Sequence, residues 1–398
     1  MDFSLTEEQR AWQMKARQFA EEEIRPISLK REQIADPKLT WDWEIIKKGS
    51  KLGFRTLAVP KEWGGHGADF ISQALVMAEL SAADCAIGKA FSQNWKWSHL
   101  ISSVCTDDQK KRFLTKFLED DTFVMGKGIT EPNAGGDNRL PPPDFPKSGF
   151  RLRAEKKGDE WILNGEKCFI ANGGVGKLFF LDARTDPNVG IKNGTTMFMV
   201  PADTPGFRFG KQFNKSGWRF YMNAELIFEN ARVPDANRVG EVNGGVKKGT
   251  DDTTGGDLFG DLELAAHALG PCDNACRMAM KHCKTAMKGG ETLTDQQWVQ
   301  VKLNRMFMLT EALRSFVMRI AWEHDAKVHT QNPGLAMNFS CDTIQDVTRL
   351  AVELMGGSNG RMNAAADKIA RDAIVWTHLG GDSVLRMRYA RRIIAAYK

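Results

Sequence analysis

Apolar residues near the start of the chain recur every three to four positions. Trp12, Ala16, Phe19 and Ala20 make one stripe, and Thr6-Glu7-Glu8-Gln9 before it has the spacing of a capping box with Thr6 as N-cap. Phe70–Ser81 and Gln109–Leu118 repeat the helical period, while Pro26 and then Pro60 with Gly64-Gly65 end helices or mark loops. Residues 1–122 therefore read as an N-terminal helical domain. From residue 123 the period changes to two. FRLRAEKKGDEWILNGEKCFIANG alternates apolar with polar and is cut by Lys-Gly-Asp and Asn-Gly turns, and TTMFMVP and AELIFENARVP are further short strands. Residues 123–235 read as a β-domain of turn-linked antiparallel strands, interrupted by a Pro-rich surface loop at 140–149. From residue 236 helices return: Leu262–Lys288, Thr294–Val328, Ser340–Leu354, Asn363–Trp376 and Ser383–Ala396. Residues 236–398 read as a C-terminal α-bundle. The class is α+β, in the order helices, β-unit, helical bundle, with no internal repeat.

Composition narrows the function classes. The chain has 398 residues, 42% hydrophobic and 26% charged, which suits a globular protein with a large core. The net charge of +5 is interleaved along the chain, and no Lys/Arg block reads as a nucleic-acid arm. MDFSLTEEQRAWQ lacks the apolar core of a signal peptide, and the following segments are too charged to span a membrane. A cytoplasmic protein is expected, with its seven cysteines as free thiols. Cys272, Cys276 and Cys283 share a helix with His267 and His282, but packing explains them more simply than zinc, so no metal is expected. Eleven Trp against three Tyr suggest broad apolar contact surfaces.

One string decides the chemistry. GITEPNAGGD, residues 128–137, leads from the first helical unit into the β-unit, and is followed by WILNGEKCFIANGG and GWRFYMNAELIFENARVP. FSLTEEQ, VPKEWGGHG, DQQWVQVKL, ELMGGSNG and RDA at 371–373 complete an ordered set. The set resembles the acyl-CoA dehydrogenase family of FAD flavoproteins over essentially the whole chain. The resemblance implies an N-terminal α-domain, a middle β-domain and a C-terminal bundle, with flavin between the last two. It implies flavin contacts from Thr130, Glu131, Gly135 and Gly136, from Phe169 and the Ala171 backbone, and from Gly356 and Gly357. Backbone N–H groups and the Thr130 hydroxyl can face the flavin edge where charge grows on reduction.

The departures are as informative. The family removes an α-proton with a carboxylate while hydride leaves the β-carbon. Aligning the usual Glu-Gly-Thr turn to HLGGDSVLR puts Gly380 on the base; aligning the alternative position, on the first bundle helix, to LFGDLELAAHALG puts Gly260 there. Neither glycine can take a proton. Asp261 is the nearest candidate base, with a capping or pairing role weighed equally; Glu263 is read as the partner of a cation and Asp382 as an N-cap. Ser becomes Gly136, Ala286 and Gly289 replace an Arg and a Phe that reach a neighbouring subunit's FAD, and Glu353 replaces a Gln near the pyrophosphate. A carboxylate there needs a cation beside it. Trp95 and Trp97 are expected to wall the acyl pocket, widened by Gly260 and Gly380. Lys89 is either a surface charge, the simpler reading, or a contact to an acidic substrate end.

These features predict flavin-linked α,β-dehydrogenation of an acyl-CoA, bulky or cyclic if the pocket is wide. An electron-transfer protein is the expected acceptor, and a homo- or hetero-tetramer the expected assembly. Two alternatives stay open. One is a non-catalytic or half-site subunit of a heteromeric dehydrogenase. The other is non-dehydrogenating acyl-CoA chemistry, by elimination, desulfination or oxygenation.

Overall fold

A computed structural model describes residues 4–135, 149, 151–244, 256–328, 333–356, 364–379 and 383–396. The first helical unit contains α1 (Glu7–Phe19), α2 (Arg25–Glu32), α3 (Trp43–Lys51), α4 (Phe70–Ala83) and α5 (Cys85–Val104). The capping box forms as expected: the Thr6 hydroxyl accepts from Gln9 N, and the Gln9 side chain accepts from Thr6 N. Asp42, Asp69 and Asp84 cap α3, α4 and α5 in the same way. Helix α4 is apolar nearly all round, and from Ser72 to Ala83 only Glu79 escapes burial. Such a helix must lie inside the molecule.

The β-unit holds β1 (Met125–Gly128), β2 (Arg153–Lys157), β3 (Glu160–Ala171), β4 (Leu178–Arg184), β5 (Thr195–Pro201), β6 (Phe207–Gln212), β7 (Asn223–Pro234) and β8 (Arg238–Val239). Their order in one sheet is β6–β7–β3–β2–β4–β5–β8, with β1 on β4. The expectation of purely antiparallel strands is corrected here: β1 runs parallel to β4, and β2 meets β4 in parallel at Arg153 and Arg184. Every position of β4 is buried, because strands and helices cover both its faces.

The C-terminal bundle is α6 (Gly256–Thr285), α7 (Gln297–Asp325), α8 (Pro333–Leu354), α9 (Ala364–Ile374) and α10 (Ser383–Ala396). Helix α6 begins six residues before the sequence pattern suggests. Helix α7 ends early, where Lys327 turns into a left-handed conformation (φ +54°). One large core joins α1, α4 and α5 to α6, α7 and α8, so the two helical units share their interior. At the α4–α6 crossing, Gly270 lies so close to Ala78, Ser81 and Ala82 that a β-carbon would overlap them. Among the described residues no helix is long and apolar enough to cross a membrane.

Candidate functional site

The TEPNAG segment is anchored from below. The Glu131 carboxylate, expected to meet cofactor, instead turns into the β-unit, where it accepts from Lys167 Nζ (2.7 Å), Arg151 N (2.6 Å) and Leu152 N (3.0 Å). Both partners of this ion pair are buried, and desolvation lowers the Lys167 pKa. With Glu131 fixed, the Thr130 carbonyl accepts from Cys168 N (2.9 Å), which ties the loop to β3. Around Gly135 there is open space where a side chain would stand. Gly136 lies outside the described residues.

Strand β3 is irregular at this point. Its register against β7 shifts between Lys167 and Ile170, and within that bulge Phe169 has φ +56°. A bulky residue adopts that conformation only where its surroundings hold it. The bulge re-aims the side chain. Phe169 is 58% exposed and stacks on Phe213, with ring centroids 4.1 Å apart. Phe213 follows β6 and was not singled out from the sequence, where nothing marks the pairing. Ala171 closes the strand opposite Asn223.

The loop 213–222 carries the β-unit onto the bundle. Trp218 N donates to Asp372 Oδ1 (2.7 Å), and its ring meets Trp376 and His267. His267 Nε2 lies 2.8 Å from the Cys85 carbonyl, and full burial holds its pKa well below the usual range. The Tyr221 hydroxyl is buried with no hydrogen-bond partner among the described residues, and burial, followed by the Glu263 charge, raises its pKa well above the usual range. Arg219 ties this loop to the segment after α2 through the Ile34 and Ala35 carbonyls.

Helices α5 and α6 face each other as an antiparallel ladder. Cys85 meets His267, Lys89 and Ser92 meet Glu263, and Lys96 meets Gly260. Lys89 Nζ lies 2.6 Å from Glu263 Oε2, with both side chains about nine-tenths buried, and the Ser92 hydroxyl donates to the other oxygen. This corrects both readings of Lys89, which is neither a surface charge nor open to a substrate, and bears out Glu263 as the partner of a cation. A β-carbon on Gly260 would lie 3.2 Å from Lys96 Nζ, so a cation fills the space beside this glycine. Asp261 points to the next face, where its Oδ2 accepts from the Tyr389 hydroxyl of α10 (2.5 Å).

The two tryptophans do not form a common wall. Trp95 is in the helical core, donates to the Phe54 carbonyl (2.7 Å), and borders a narrow void with Phe70, Gln73, Leu262 and Glu263. Trp97 turns away from it and stacks on Phe180 of β4 (5.1 Å). Gly356 takes a left-handed turn after α8 (φ +85°), and the nearby Glu353 has the cations its position requires, Lys302 (2.8 Å) and Arg349. Gly357, Gly380 and Asp382 lie outside the described residues. Cys272, Cys276 and Cys283 are free thiols packed in the core.

These features fit the group implied by the sequence. Phe169 and Phe213 offer an exposed aromatic face, Gly135 leaves room for close approach, and Thr130 stands beside them.

Three family models cover the chain: acyl-CoA dehydrogenase N-terminal domain over residues 6–121, middle domain over 126–231 and C-terminal domain over 259–394. The short-chain specific acyl-CoA dehydrogenase of Clostridium acetobutylicum is 30% identical over 375 residues, 94% of each chain. Butyryl-CoA dehydrogenase from Megasphaera elsdenii has a solved structure with a TM-score of 0.89 at 29% identity, covering 99% of this chain and 100% of that one. A solved chain from work on the electron transferring flavoprotein of Acidaminococcus fermentans matches at TM-score 0.89 and 31% identity, covering 99% of both.

Proposed function

Because the chain belongs to the acyl-CoA dehydrogenase family, FAD flavoproteins that oxidise CH–CH groups of acyl-CoA thioesters, we propose that it dehydrogenates an acyl-CoA with a displaced catalytic base. The observation that carries this reading is the stacked Phe169–Phe213 face beside Thr130. FAD, when bound, supplies the acceptor for the β-hydride. Thr130, Gly135, Phe169, the Ala171 backbone and Gly356 would hold it, and Phe213 joins them.

Asp261 is the proposed base. It is in the first turns of α6 beside Gly260, the place where some relatives carry a carboxylate. Its carboxylate would take the α-proton, with the Tyr389 hydroxyl fixing its orientation. The void beside Trp95 and Glu263 holds only about one water and admits no acyl group as it stands. Electrons would leave to an electron-transferring flavoprotein, in keeping with the relative from Acidaminococcus fermentans.

A second reading rests on Lys96. Its side chain, and not a carboxylate, occupies the space beside Gly260, which favours a half-site subunit whose partner supplies the base. Flavin per chain, read by visible absorbance after denaturation of the protein expressed alone, separates the two. One FAD per chain, with acyl-CoA bleaching the flavin and Asp261→Asn slowing that step roughly 10²–10⁴-fold, supports the enzyme. FAD bound only on co-expression with a related chain supports the half-site.

A further inference from the structure

We infer that Lys215 and Asn223 form a strut that positions the Phe169–Phe213 pair, so that the grip on FAD depends on two residues beneath the aromatic face. The inference rests on the reading of Phe169 as a flavin contact.

Asn223 is the hub. Its backbone carbonyl accepts from Phe213 N (2.9 Å), and its side-chain Nδ2 donates to the Phe169 carbonyl (2.9 Å). Both members of the stack therefore hang from one residue. The Asn223 Oδ1 accepts from Lys215 Nζ, which also donates to the Tyr221 carbonyl. The orientation of the amide follows from chemistry. An ammonium only donates and a carbonyl only accepts, so Oδ1 must face Lys215 and Nδ2 must face Phe169. Without the ammonium the amide can turn over, and the left-handed Phe169 loses the bond that holds its carbonyl. The bulge leaves Phe169 without a register partner on β7, so the Asn223 side chain takes the place of the regular ladder there.

The strut is also titratable. Enclosure lowers the Lys215 pKa to about 7, against the opposing pull of Asp372 on α9 and Glu32 on α2 and with the aid of Arg219 in the same loop. Lys368 and Arg371 pair with those two acids and limit their effect. Below that pKa the bond to Asn223 is charge-assisted; above it the bond is neutral, and about half as strong.

The test is the FAD dissociation constant of the full-length protein, measured by flavin fluorescence titration from pH 6 to 9. Lys215→Met is expected to weaken FAD about tenfold, the worth of one charge-assisted bond, and Phe213→Leu about tenfold through the lost ring stacking, while Phe213→Tyr keeps it within about threefold. Wild-type affinity should fall about threefold as pH rises through 7, and this step should vanish in Lys215→Met. A purely structural lysine would leave the pH profile in place. FAD binding that depends on Phe169 but is unmoved by Phe213→Leu or Lys215→Met, with an unchanged pH profile, overturns the strut alone. No FAD binding by the wild-type chain overturns the functional reading and the strut together. Should Lys215→Met fail to fold, the half-exposed Phe213 pair and the wild-type profile still decide.

Discussion

Removing the Glu131 carboxylate should loosen the β-unit beneath the TEPNAG loop, and the size of the effect follows from what it leaves behind. In Glu131→Ala three donors lose a carboxylate acceptor at once, Lys167 Nζ, Arg151 N and Leu152 N, and Lys167 keeps the Ile129 carbonyl (3.2 Å) but not its counter-charge. Lys167 has no exposed surface, so its ammonium cannot turn to water. Breaking a buried pair from one side costs about 3–5 kcal/mol, and each buried N–H left unpaired costs about 1–3 kcal/mol. The terms do not add, because burial already depresses the Lys167 pKa and the amine can shed its proton. A net loss of about 4 kcal/mol is expected. Urea unfolding followed by far-UV circular dichroism would measure it. A cycle with Lys167→Met and the double variant Glu131→Ala/Lys167→Met separates the pair from the backbone bonds, and the double variant should recover about 2 kcal/mol of the sum of the singles. A single-variant loss under about 1 kcal/mol, or additivity in the cycle, would refute the reasoning.

Other expectations follow from the same structure. Gly270→Leu should prevent native folding, since even a β-carbon overlaps Ser81 and Ala78, whereas Gly289→Ala should fold but lose about 1–2 kcal/mol, because its surroundings are open while its φ of +64° is left-handed; soluble yield and thermal midpoint check both. The thiols should resist a disulfide reagent until the protein unfolds, when all seven react, because every cysteine is buried and burial pushes the thiols of Cys85, Cys272 and Cys276 upward. Burial raises the Asp325 pKa to about 6 although it accepts from Phe70 N and Ile71 N. The folded state then binds the proton more tightly than the unfolded one, so this group's contribution to stability is full below about pH 4 and is lost as pH rises through 6. Asp325→Asn should flatten that limb of the stability–pH curve.

The sequence displays what is local. The capping box at Thr6 and Gln9 and the helix Ser383–Ala396 were legible because their partners lie within a turn or two. The start of α6 was not, since Gly256-Asp-Leu-Phe-Gly carries two glycines and reads as loop until tertiary packing overrides propensity. The strand β1 was missed as a parallel partner because it is four residues long and pairs with β4 across more than fifty residues. Site residues divide in the same way. The motif singles out Thr130 and Phe169 as candidates from their own segment. It could not show that Glu131 faces inward, that Lys89 meets a carboxylate 174 positions away, or that Phe213 stacks on Phe169, since each depends on a distant partner. The Lys96–Gly260 approach is of that kind too.

The shared interior of the two helical units has a consequence for how the chain comes into being. Helix α4 ends at residue 83 and its main partner α6 begins at 256, a gap of 256 − 83 = 173 residues. At roughly 5–20 residues per second, a nascent chain displays the oily sides of α4 for about 10–35 s before α6 leaves the ribosome. During that interval the β-unit can settle on its own ladder and α1 and α5 can cover part of α4, but its α6-facing side stays in water. Newly made copies therefore carry the α6-facing side of α4 uncovered while synthesis continues, and a product truncated before residue 256 would be released with that side bare.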